Sequence, residues 1–182
     1  MNAFRNTCRV ATFLVLAFVA PSAAFADFSG QFDPANWNIG TQSFGCGSSS
    51  VDTSAAPASV TLATGTGCAA IGASFDYPAA PTTGTVTFDY NYSGDAPNTF
   101  LASYRVNGVT TQFSNNAGAS TQTGTVTFAI TEGQTFGFLF QAASSDGSGG
   151  TLVISNFRLI SDAHQCGRVP KRVPCRCLSN QF

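Results

Sequence analysis

The dipeptide Asn107-Gly108 constrains this chain more than any other pair of residues. It stands between two alternating runs, FLASYRV before it and VTTQF after it. Asn-Gly accepts the positive φ angles of a tight two-residue turn, so both runs are expected to be strands paired across it. The turn sets the register. Val106 falls opposite Val109, Tyr104 opposite Thr111 and Ala102 opposite Phe113, with like residues on like faces. Upstream, Val86, Phe88, Tyr90 and Tyr92 alternate with Thr85, Thr87, Asp89 and Asn91, the period of a strand with one buried face. With a loop over residues 93–98, the stretch 84–113 reads as a meander of three antiparallel strands at the middle of a β-sandwich.

The same period recurs along the chain. Phe28, Phe32, Trp37 and Ile39 mark a first strand region. Residues 59–63 and 71–77 read as strands and residues 49–57 as a loop. GTVTFAI at 124–130 nearly repeats GTVTFDY at 84–90, which suggests two strands in equivalent positions and no repeat of the whole domain. Phe136, Phe138 and Phe140 point inward after the turn Thr131-Glu132-Gly133-Gln134. The last run, TLVISNFRLI at 151–160, is apolar at nearly every position. That is the pattern of a central strand covered on both faces, and it is expected to lie beside the 28–39 region. About nine strands separated by turn signals predict an all-β fold, an antiparallel sandwich or jelly roll.

Three segments of the chain differ in character. In residues 1–26, Arg5 and Arg9 flank the start of an apolar run over 10–20, and Ala24-Phe25-Ala26 has the A-x-A form of a cleavage site. The run is too short to span a bilayer. It is expected to be a signal peptide, leaving a secreted chain that begins at Asp27 and has no transmembrane segment. Residues 27–160 form one domain, rich in Thr, Ser, Gly and Phe, with eight acids against two bases, Arg105 and Arg158. Helices are disfavoured by that composition. An acidic domain with two bases also lacks the electrostatic footprint of a nucleic-acid binder. In residues 161–182, threonine vanishes, and Arg168, Lys171, Arg172 and Arg176 appear with Cys166, Cys175 and Cys177. This tail reads either as a disordered basic extension or as the product of a shifted coding frame. A zinc site from His164 and the three cysteines is disfavoured, because H-x-C and C-x-C lack the two-residue gaps of ordinary knuckles.

The chemistry available to the domain is limited. It contains no histidine, so a hydrolytic triad has no base. A glycosidase needs two carboxylates on one cleft. Asp89, Asp95 and Asp146 are the candidates, but Asp95 suits a turn and Asp89 suits a cross-strand pair with Arg105. No catalytic residue is therefore expected. Trp37, the only tryptophan, is either a core anchor or a sugar-stacking platform. With Tyr92 and Asp95 it makes up the candidate ligand-binding set. Cys46 and Cys68, each beside glycine, are expected to form a disulfide in an exported chain, stabilising by about 3 kcal/mol in the loop-entropy picture. No phosphate or calcium loop occurs. No cofactor is expected, although scattered aspartates at strand ends could hold one structural calcium. The partner classes left open are a polysaccharide and a cell-surface protein.

Trp37, GTVTFDYNYSGD at 84–95, YRVNG at 104–108, EGQTFGF at 132–138 and ISNF at 154–157 together resemble bacterial secreted β-sandwich domains of the PEP-CTERM sorting-domain protein type. The resemblance covers about residues 28–160. It implies an exported protein of exopolysaccharide-making bacteria with no established enzymatic activity. Such proteins usually end in Val-Pro-Glu-Pro, an apolar helix and an arginine cluster. Here Val169-Pro170 and Val173-Pro174 occur without Glu-Pro or an apolar helix. That departure puts surface sorting of this chain in question and fits a shifted frame.

Overall fold

Period-two patterning gives a strand one apolar face, and stacking one sheet on another buries such faces. The computed structural model describes residues 25–44, 47–65, 71–94, 100–115, 117–143 and 149–162. It contains β1 (Phe25–Ala26), β2 (Asn38–Gly40), β3 (Ser43–Phe44), β4 (Gly47–Asp52), β5 (Ser59–Thr64) and β6 (Gly72–Tyr77). These are followed by β7 (Gly84–Gly94), β8 (Phe100–Val106), β9 (Val109–Gln112), β10 (Thr121–Ile130), β11 (Phe136–Ala142) and β12 (Gly150–Ser161). Sheet A has the order β10-β7-β12-β5-β4-β3, with β1 also paired to β12, and sheet B has the order β2-β6-β11-β8-β9. The strand pairs are antiparallel, and the fold is an antiparallel β-sandwich. From β5 to β8 successive strands alternate between the sheets, as do β9 to β12.

The hairpin reads as its turn dictates. Asn107 and Gly108 have φ of 48° and 79°, Val106 pairs with Val109, and Tyr104 pairs with Thr111. The Phe113 amide donates to the Ala102 carbonyl at 3.0 Å just beyond the end of β9. The first strand of the expected meander is a correction: β7 lies in sheet A between β10 and β12, across the sandwich from β8. A turn dipeptide fixes only the pair it joins.

Two further expectations change. The 28–39 region is mostly two 3-10 turns, Gly30–Phe32 and Pro34–Asn36, followed by β2. Asp33 accepts from the Ala35 amide at 2.9 Å, and Pro34 occupies the first position of the second turn, so the local chemistry favours a capped turn over a strand. Residues 49–52, read as the start of a loop, belong instead to β4, which pairs with β5.

Strand β12 is central, between β7 and β5. Only one of its faces is covered, however. Leu152, Ile154, Phe157 and Leu159 are buried, while Thr151, Asn156, Arg158 and Ile160 are exposed. The register shifts between Ser155 and Arg158, and Asn156 has φ of 50°. This bulge switches the inward positions from even to odd numbers, which is why the run looks apolar throughout. β12 pairs with Phe25–Ala26, and Phe157 stacks on Phe28 at 5.1 Å, so it does neighbour the start of the domain. The expected cleavage motif thus ends within β1, and residues 1–24 and 163–182 lie outside the described residues. Among those described, no helix is long and apolar enough to cross a bilayer.

Between the sheets lies an aromatic core. Trp37 stacks on Phe75 at 4.4 Å with an interplanar angle of 2° and meets Phe136, Phe138 and Phe157. Its indole N–H donates to the Phe32 carbonyl at 3.0 Å. An indole enclosed in this way, with its one polar atom satisfied, is an anchor of the core.

Candidate functional site

Strand alternation decides what the outer face of sheet B carries. On β11 the residues Phe136, Phe138 and Phe140 are buried in the core, which leaves Gly137, Leu139 and Gln141 for the other face. Pairing places three rows across this face. Asn38, Asp76, Gly137 and Arg105 form the first, Gly40, Ser74, Leu139 and Ser103 the second, and Gly72, Gln141 and Leu101 the third.

Glycine shapes the surface. A Cβ on Gly137 would collide with the Asp76 carboxylate and come within 2.5 Å of the Phe75 carbonyl and 2.7 Å of Asp76 Cα. Because Gly137 carries no side chain, Arg105 on β8 reaches across β11 to Asp76 on β6. Arg105 Nε donates to Asp76 Oδ1 at 3.2 Å, and Nη2 donates to Oδ2. Each side chain of this pair keeps 27% of its surface exposed. A pair so open to solvent contributes little to stability, but its two hydrogen bonds hold the guanidinium in place across β11.

Beside the pair opens a cleft of about 300 Å³ lined by Gly40, Thr41, Gln42, Gly72, Ser74, Arg105, Leu139 and Gln141. Half-buried Leu139 is its aliphatic patch. One wall follows β2, and its position is set by hydrogen bonds. Gln42 Oε1 accepts from the Gly72 amide at 2.8 Å. Ser49 accepts from the Gln42 amide at 2.8 Å and donates to the Gly72 carbonyl at 2.7 Å, tying β4 of sheet A to this rim. Among the described residues, the Ser74 hydroxyl, the Gln141 amide and Arg105 Nη1 have no protein partner. A second depression, at one end of sheet A, is bordered by Thr64, Ser93, Gly94, Gly150 and Thr151 and includes no charged group among the described residues.

The residues chosen from sequence fall elsewhere. Trp37 is 6% exposed and so offers no stacking face. This corrects its reading as a sugar platform, since it has the apolar bulk that core burial rewards. Tyr92 is corrected in the same way: it is 1% exposed, with its ring against Phe140 at 5.8 Å. Burial also raises the pKa of its hydroxyl. Asp95, Asp146, Cys46 and Cys68 lie outside the described residues, as do His164, Cys166, Cys175 and Cys177. Asp89 and Arg105 do not pair, because their strands belong to different sheets. Asp89 instead accepts from Thr125 at 2.5 Å and Asn156 at 2.7 Å. These bonds, Thr125's first, hold its carboxyl below the usual carboxylate range, with a smaller contribution from Arg158. No group of three or more His, Cys, Asp or Glu residues comes together among the described residues to hold a metal ion.

The cleft residues were missed because their signal is indirect. Gly137 interrupts a phenylalanine-rich strand, and an isolated strand glycine marks a close approach of another group.

No family model matches the chain, and no curated protein does. Among solved structures it is similar to the N-terminal cellulose-binding domain of β-1,4-glucanase C from Cellulomonas fimi, with TM-score 0.44 and 21% identity over 71% of this chain and 90% of that one. It is also similar to a family 11 carbohydrate-binding module from Clostridium thermocellum in complex with a β-1,3-1,4-mixed-linked tetrasaccharide, with TM-score 0.42 and 12% identity over 76% and 94% of the two chains. A third likeness is to the enzymatically active domain of tailspike protein 4 from bacteriophage CBA120, with TM-score 0.41 and 16% identity; it spans 71% of this chain and one fifth (20%) of the tailspike. At TM-scores below 0.5, the assignment of a sandwich rests on the strand pairing above.

Proposed function

We propose that the chain is a non-catalytic module of exported proteins that binds a polysaccharide in the cleft outside β6 and β11. The lining carries this reading. The Ser74 hydroxyl, the Gln141 amide and Arg105 Nη1, which have no protein partner among the described residues, surround the aliphatic patch of Leu139. A sugar ring offers the complement, hydroxyls at its edge and C–H groups on its faces, and ligand sites use a few convergent polar groups over apolar surface. The lack of histidine in residues 27–160 supports the non-catalytic part. So do the positions of Asp76 and Asp89. They lie on different sheets with both side chains on outer faces, and cannot flank one glycosidic bond at the roughly 5–9.5 Å that hydrolysis requires. The A-x-A motif and the resemblance to PEP-CTERM-type domains support a place outside the cell. The mass of the secreted chain, with Asp27 at its start, checks that part.

Affinity electrophoresis in polysaccharide gels tests the binding. Retardation should occur and should be lost in the double variant Ser74→Ala, Gln141→Ala, with the circular dichroism spectrum unchanged. A chain that runs freely through every gel sinks the proposal. One observation favours a second reading, a structural module with a protein partner. β10 carries no charged side chain over its ten residues and is paired only with β7 among the described strands. Uncharged edges of that length invite strand addition. Sedimentation velocity that shows self-association at micromolar concentration would favour it.

A further inference from the structure

We infer that the cleft selects a neutral sugar chain and that Arg105 grips two adjacent hydroxyls on it; this rests on the polysaccharide-binding reading above. A guanidinium is a rigid plane of five N–H donors. Asp76 occupies the Nε–Nη2 edge of Arg105. The other edge, made of Nη1 and the second hydrogen on Nη2, has no partner among the described residues, and Arg105 lines the cleft. Two parallel N–H groups match two kinds of ligand, a carboxylate or a pair of neighbouring hydroxyls.

Charge decides between them. Asp76 offsets the charge of Arg105, and among the described residues Arg105 is the one charged side chain lining the cleft. The body behind it carries eight acids against two arginines over residues 27–160. A polyuronate would therefore approach a neutral cleft on a negative surface, and the field would oppose encounter. A neutral chain meets no such barrier. It can set its C–H face on Leu139 while Ser74, Gln141 and the free guanidinium edge bond its hydroxyls.

Calorimetric titration of the full chain tests the inference. The neutral probes are mixed-linkage β-glucan, galactan and mannan; the uronate probes are polygalacturonate and alginate. At least one neutral probe is expected to bind, with an affinity unchanged between low and high salt, and neither uronate should bind. Arg105→Lys keeps the charge but loses the fork, and should weaken neutral binding by about tenfold. Asp76→Asn leaves the guanidinium uncompensated and should bring on uronate binding at low salt. Wild-type binding of a uronate more tightly than any neutral probe overturns the inference and leaves the polysaccharide reading in place. Neutral binding that Arg105→Lys does not change overturns the role given to Arg105. Failure of both probe classes overturns the polysaccharide reading and the inference with it.

Discussion

The outer faces of the two sheets are built from the same alternation and end up as different surfaces. On sheet A, Asp89 sits between Thr125 of β10 and Ser155 of β12 in the register. Thr125 and the bulge residue Asn156 close around its carboxylate, and the neighbouring Thr87 and Thr127 hydroxyls meet at 3.2 Å. On sheet B, Asp76 has Gly137 beside it and Arg105 beyond. Strands two apart lie roughly 9.5 Å from each other, so only a long side chain crossing an empty position can join them. The acid on face A is tied by short neighbours and stays half-exposed among them. On face B the acid is tied by one long neighbour, and the space spared by glycine stays open as the cleft. The residue a strand lacks shapes this site as much as the residues it carries.

The largest effect expected in a test of this comparison comes from beneath face B. Trp37→Ala removes the ring that backs Phe75 and Phe138 and should cost about 3–5 kcal/mol in urea unfolding followed by circular dichroism. Trp37→Phe should cost less and keep sugar binding. Binding lost in Trp37→Phe with the fold intact would restore the stacking platform and shift the site away from the cleft. Next in size is Gly137→Ala. The new methyl group meets backbone as well as the Asp76 carboxylate, so strands must move. The expected cost is about 1–3 kcal/mol, together with loss of binding in the gels. The matching change on face A, Thr125→Ala, removes one hydrogen bond to an exposed acid and should stay within about 1 kcal/mol. Equal costs on the two faces would mean that the glycine position is not what distinguishes them.

Sequence reasoning reached the parts of this molecule that short segments encode. Asn107-Gly108 determines its own hairpin, and alternation places Val86, Phe88 and Phe138 in the core. What it missed depends on residues far apart in the chain. Nothing between Gly94 and Phe100 says that β7 and β8 enter different sheets, so Asp89 was matched to Arg105, the partner that a meander would supply. The true partner, Asp76, is 29 positions from Arg105 and separated from it by a strand that comes later in sequence. Trp37 was legible only as a choice between two roles, because bulk and a single N–H suit both a core and a sugar. The Phe32 carbonyl, five residues before it, settles the choice locally by satisfying that N–H.

The smallest effect separates the two faces by pH. Thr125 and Asn156 donate to the charged form of Asp89, and Arg158 adds a favourable charge, so the folded-state pKa lies below the ordinary carboxylate value. In the unfolded chain the group titrates near about 3.9. A depressed folded pKa contributes stability that is present above the unfolded value and is lost as pH falls through the folded one. Asp89→Asn cannot carry that contribution. The melting temperature of the wild type should therefore exceed that of Asp89→Asn at pH 7 and pH 5, and the gap should narrow below about pH 4. Melts of both proteins across that range make the comparison. A gap as wide at pH 3 as at pH 7 would show that Asp89 is held by hydrogen bonds indifferent to its charge. The acid on face A would then be held by threonine and asparagine geometry alone, with no electrostatic contribution of its own.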